Sequence, residues 1–202
     1  MTRRSLALIK ALVAIGCVIP FGLLVARAAG FGDLGANPVQ EVLHTLGKTG
    51  LNLILITLAI TPIRKETGLN WLVGLRRTFG LAVFGYILLH ATTYVVLDQG
   101  LAWSSLLVDV TQRPYITLGF LGLVLMVPLA VTSTNAMQRR LGRRWSRLHR
   151  LVYPISILGV IHFFWQVKID VSEPVLYATV LALLLGYRAL GWFKKRQRLS
   201  RS

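Results

Sequence analysis

Cysteine and acidic residues are the two things this sequence has least of, and each shortage excludes a class of chemistry. Cys17 is the one cysteine among 202 residues. A single thiol rules out an internal disulfide framework and any zinc or iron–sulfur site built from cysteines. Only seven Asp and Glu stand against 23 Lys and Arg, for a formal charge of +16. All seven acids fall in connecting segments or at the edges of apolar runs, so a proton relay through an intramembrane carboxylate has no candidate. No Gly-x-Gly-x-x-Gly follows a strand pattern, which leaves out a dinucleotide-binding unit.

What the chain does have is apolar length. Hydrophobic residues make up 54% of it and gather into six runs, at about 8–29, 43–62, 79–97, 114–132, 150–168 and 174–191. A soluble domain this basic would suggest nucleic acid. Here the charge lies between runs long enough to cross a bilayer, so no nucleic acid is expected and the fold class is an all-α, six-transmembrane-helix bundle. Residues 1–202 read as one integral membrane domain. Pro114 suits the first turn of the fourth span, where its missing N–H costs nothing, and Pro174 opens the sixth. Residues 98–113 read as a polar, partly amphipathic loop. The first run, with its leading arginines and Ala26-Arg27-Ala28, also has the form of a signal peptide with a cleavage site. Its length and the six-span count favour an uncleaved first helix.

Charge orients the bundle. The N-terminus, the 64–77 loop, the 139–150 loop and the residues from Arg188 onward hold nineteen of the basic residues. Arg27, Lys48, Arg113 and Lys168 make up the other side. By the positive-inside rule both termini are cytoplasmic, in a multi-pass protein of the bacterial inner membrane. The basic loops should also contact anionic membrane lipid. All five tryptophans (71, 103, 145, 165 and 192) fall near span ends, as an aromatic belt requires. No internal repeat stands out of the kind that builds a transporter from two halves.

The stretch from Arg139 to Lys168 carries the chemistry. It opens on an arginine cluster and then holds His149 and His162, roughly 20 Å apart on one helix. A histidine within a membrane is costly without a partner. His90 lies about eleven residues into the third span and His162 about twelve into the fifth, and both spans run the same way. Two imidazoles at matched depth can hold one iron from opposite faces, and haem suits two ligands better than zinc does. Gly85 and Gly159 could let a flat macrocycle approach backbone. The alternative is that each histidine only bonds a neighbouring helix.

His149 is rotated by about 140° from His162 on an ideal helix, though Pro154 between them could kink or twist it. A partner for His149 on the third span should stand at Arg76 or Arg77. Arginine does not ligate iron but binds propionates or a flavin phosphate. His149 is therefore a ligand with an unusual partner or an interfacial histidine near such an anion. His44, beside Lys48, reads as a snorkelling residue at the interface rather than a ligand.

Several segments together resemble a known family: TPIRK at 61–65, RRTFG at 76–80, RPYITLG at 113–119, TSTNAMQRRLGRRW at 132–145 and LHRLVYPISILGVIH at 148–162. They are similar to MsrQ (YedZ) proteins, the haem-binding membrane subunits of bacterial periplasmic methionine sulfoxide reductase systems. That family sits in the ferric-reductase-like transmembrane group, alongside NADPH oxidases, and the resemblance covers nearly the whole chain. It implies b-type haem (one or two), an associated FMN, and a periplasmic molybdenum-containing reductase subunit as partner. The family's haem-linked histidines map onto His90, His149 and His162, with Arg76 and Arg77 standing where a four-histidine relative has a ligand. The chain has no room for a C-terminal flavin and nucleotide domain, so electrons should come from the quinone pool or a cytoplasmic flavin reductase. The expected function is an electron conduit that performs no sulfoxide chemistry itself. A proton-coupled transporter using intramembrane histidines is the rival reading, and a haem-free assembly factor the third.

Overall fold

A computed structural model describes residues 2–167 and 169–199. The expectations placed on Lys168 and on Ser200 to Ser202 lie outside the described residues. Nine α-helices form among them, with no strand. These are α1 (Arg3–Ala28), α2 (Pro38–Thr67), α3 (Arg76–Thr93), α4 (Trp103–Gln112), α5 (Pro114–Val131), α6 (Asn135–Leu141), α7 (Arg143–Leu148), α8 (Val152–Gln166) and α9 (Ser172–Leu199). Six stretches built on α1, α2, α3, α5, α8 and α9 are long and apolar enough to cross a membrane. The chain is a multi-pass membrane protein.

Local sequence sets the helix ends. Asn37 caps α2 by accepting from the Gln40 amide at 3.2 Å, and Pro38 follows in its first turn. Gly68 stops the same helix in the left-handed conformation at φ 72°, donating its amide to the Arg64 carbonyl at 3.0 Å. Pro114 starts α5 as expected. Within the segment 98–113, expected as a polar, partly amphipathic loop, Trp103–Gln112 forms α4. Its Asp109 is buried, accepting from the Tyr94 hydroxyl at 2.7 Å and pairing with Arg113 at 3.1 Å. Trp103, Leu107 and Val108 stay exposed on it, the form of a helix lying in the membrane interface.

His149 does not share a regular helix with His162. α7 passes through a tight 3-10 turn, His149–Leu151, before α8 begins at Val152. The ideal-helix angle between the two histidines therefore does not apply. Pro154 falls in the first turn of α8, so it fits without a kink.

α2 is the central element: 44% of its apolar window is buried, against 11–17% in the other spans. It packs most extensively on α3, while α5 packs on α8. Lipid tails are as apolar as leucine, so packing contacts and interhelical hydrogen bonds must hold such a bundle together. One of these bonds repairs a helix opened by proline. Pro62 removes the amide that the Leu58 carbonyl would meet, and Arg188 of α9 donates to that carbonyl instead. Next to Pro20 in α1, the Tyr86 hydroxyl of α3 donates to the Cys17 carbonyl at 2.7 Å and accepts from the Phe21 amide at 3.1 Å.

Tyr86→Phe should therefore cost about 1–2 kcal/mol, read as a lower unfolding midpoint in detergent. An unchanged midpoint would mean that the Cys17–Phe21 pair recloses on its own.

Candidate functional site

α2, α3, α5 and α8 enclose a cavity of about 340 Å³ at the end of the bundle that carries Asn37, Asp98, Arg113 and Gln166. That volume lies within the range of ligand pockets. His90 and His162 face each other inside it, with ring centres 6.1 Å apart and ring planes at 86°.

Both rings are held in the same way. His90 Nδ1 meets the Leu43 carbonyl at 2.9 Å, and His162 Nδ1 meets the Tyr115 carbonyl at 2.6 Å. A carbonyl oxygen only accepts, so each Nδ1 carries the proton and each Nε2 keeps its lone pair for a ligand. Metal-bound histidines are oriented by this kind of outer bond. Bonds of about 2 Å from two imidazoles to one ion, plus about 1 Å from each nitrogen to its ring centre, place the centres roughly 6 Å apart. The observed spacing fits one metal between the rings. Among the described residues no group of three His, Cys, Asp or Glu gathers, and a two-histidine haem needs none.

Glycine makes the arrangement possible. In an α-helix the carbonyl of residue i points at residue i+4, so a side chain there would crowd anything reaching that carbonyl. Gly47 follows Leu43 by four and Gly119 follows Tyr115 by four. A Cβ added to Gly47 would stand 3.2 Å from the His90 ring, and one on Gly119 would stand 3.0 Å from that of His162. Each histidine lies 47 residues after its carbonyl. A single step of 72 positions carries Leu43, Gly47 and His90 onto Tyr115, Gly119 and His162. The same step carries Arg77 onto His149. The two helix pairs thus hold their histidines at the same spacing, an internal correspondence that sequence inspection passes over because the side chains between differ.

Sequence reasoning missed these carbonyls and glycines; Gly-x-x-Gly at 47–50 and again at 119–122 is the signal that could have found them. Of the two glycines it named, Gly159 lines the cavity and Gly85 does not. His44, expected to snorkel, also lines the cavity, with its Nε2 accepting from the Gln166 amide at 2.9 Å.

The other candidates lie at the opposite, arginine-rich end. His149 stacks on Trp145, with centres 3.9 Å apart. Its Nε2 meets the Thr132 hydroxyl at 3.1 Å, while that hydroxyl donates to the Pro128 carbonyl. His149 Nε2 is therefore the donor of the pair. Arg77 donates to Asn135 at 2.5 Å, beside the same α5–α6 corner, and Arg76 donates to Thr61 at 2.8 Å. The structure thus brings His90 and His162 together, and sets His149 and Arg77 on one shared corner away from them.

Comparison with known proteins gives a consistent assignment. The ferric reductase like transmembrane component family matches residues 46–160. The protein-methionine-sulfoxide reductase heme-binding subunit MsrQ of Xanthomonas campestris pv. campestris is 46% identical over 93% of this chain and 89% of its own length. The MsrQ of Xanthomonas axonopodis pv. citri is 43% identical over 99% of this chain and 94% of its own length. That of Rhodospirillum rubrum is 45% identical over 92% and 89%. With its two histidine-bearing hairpins, the chain belongs to the MsrQ family of ferric-reductase-like transmembrane proteins.

Proposed function

We propose that this chain is a haem-b electron-transfer subunit of the bacterial inner membrane, serving a periplasmic molybdenum-containing methionine sulfoxide reductase. The observation that carries the reading is the pair of facing imidazoles, 6.1 Å apart, each with Nδ1 tied to a backbone carbonyl. Haem held there supplies a one-electron iron couple. His90 and His162 would hold the haem through Nε2, with the Leu43 and Tyr115 carbonyls fixing the ring tautomers. Leu51, Ile54, Val83 and Met126 line the cavity and keep its walls apolar, which favours a flat macrocycle over water.

The excess of Lys and Arg at the opposite end supports a cytoplasmic placement of that end and of both termini. His149, with Arg76 or Arg77, serves the inner cofactor there, a second haem or FMN. Electrons enter on that side from quinol or a cytoplasmic flavin reductase.

The test is haem per chain in purified protein, with reduced-minus-oxidised spectra, beside His149→Ala. About two haems per chain, one of them lost in the variant, makes His149 a ligand. One haem, kept in the variant, places His149 beside a flavin or quinol. No haem under haem-replete expression overturns the reading and brings forward the proton-coupled transporter.

A further inference from the structure

We infer that the arginine-rich end contains a phosphate-binding site built by Arg64, Arg76 and Arg188 around the hydroxyl of Thr61. Arg76 and Arg188 each donate to Thr61 Oγ1 at 2.8 Å, so the two guanidinium nitrogens lie no farther apart than twice that bond. Arg64 and Arg188 both act electrostatically on Arg76. Two like charges thus meet on one hydroxyl, and Arg64, three residues beyond Thr61 on the same face of α2, stands half-buried beside them.

No anion answers them. The ion pairs among the described residues are Arg27–Glu41, Lys48–Glu173 and Arg113–Asp109, and none involves this group. Glu66, the acid nearest in sequence, accepts from Tyr187. The Nε atoms of Arg64 and Arg188 are buried without a partner, a costly condition for charged donors. Thr61 spends both lone pairs on the two arginines, which leaves its own proton to donate.

The cluster is thus a set of donors waiting for one multidentate acceptor. Arg188 is also fixed in place, by bonds to the Leu58 and Leu184 carbonyls and by Tyr153, whose ring centre is 5.8 Å from its guanidinium. A tetrahedral phosphate ester, with several acceptor oxygens, matches forked guanidinium donors. It can come from an anionic lipid headgroup or from a soluble phosphate. The site goes beyond the electron-transfer reading and stands without it; only Arg76 is common to both.

The test uses the full chain in phosphatidylcholine nanodiscs, with and without phosphatidylglycerol, and separately with inorganic phosphate. Thermal unfolding midpoint and haem per chain are read in each sample. The wild-type midpoint should rise by roughly 5 °C with an occupying phosphate, and Arg64→Gln should lose most of that rise. Arg64→Lys, which keeps charge but not the fork, should bind about tenfold more weakly and serves if Arg64→Gln does not fold. A rise only with phosphatidylglycerol assigns the site to lipid, and a rise only with inorganic phosphate to a soluble ligand. No rise with either, or an equal rise in both variants, overturns the site. An intact phosphate response in a chain without haem would fail the electron-transfer reading alone.

Discussion

His90→Ala and His162→Ala should each yield a folded chain that has lost the haem we propose between α3 and α8. The two imidazoles keep Nε2 free of the carbonyl bonds, and their 6.1 Å centre separation suits one ion between them. Losing an outer-shell partner of a metal-bound histidine typically costs about 10–100-fold in affinity, so losing the ligand itself should cost more than about 100-fold. Folding should survive. The Leu43 and Tyr115 carbonyls lie within regular helix and keep their backbone partners when the ring is gone. Added imidazole should restore the visible absorption, because the emptied space retains a carbonyl ready to accept from its N–H. Haem per chain in each variant, before and after imidazole, is the measurement. Full haem retention in either variant would remove that histidine from the ligand set.

The pairing of His90 and His162 is readable in the sequence because helix rise converts residue count to depth. Eleven and twelve residues into parallel spans put the rings at one level, and the structure sets them opposite each other with their centres 6.1 Å apart. The six spans are readable for the same reason: apolar length is a one-dimensional property. What holds the rings is not readable that way. Leu43 and Tyr115 act through their carbonyls, which every residue has, so their side chains leave no mark. His149 escapes the helical-wheel argument because it opens a three-residue 3-10 turn before α8, which breaks the 3.6-residue period. α4 was masked by its polar residues, since Asp109 there is buried against Tyr94 and Arg113 rather than facing water. The Arg64–Arg76–Arg188 group draws on the last turns of α2, the first residue of α3 and the middle of α9, far along the chain. Only packing brings them together.

Gly119→Ala should weaken haem binding by about 10–100-fold, the loss expected when the outer hydrogen bond of a ligand histidine is broken. The added methyl would stand 3.0 Å from both Cε1 and Nδ1 of His162. It is rooted in the α5 backbone and cannot rotate away, so the ring must move, and the 2.6 Å bond to Tyr115 is what it leaves. Gly47→Ala acts on His90 in the same way but from 3.2 Å, so its effect should be smaller. Gly85→Ala is the contrast. Nothing lies within 4 Å of its added Cβ, and alanine is the better helix former by about 0.5–1 kcal/mol. That variant should keep its haem and unfold no earlier than wild type. The readouts are haem per chain and the midpoint reduction potential, which responds to ligand hydrogen bonding even where haem is retained. If Gly119→Ala matches Gly85→Ala on both, the two carbonyls do not set the ligand geometry. The order Gly119, then Gly47, then Gly85 would show that a glycine four residues beyond each carbonyl opens the helix to its histidine.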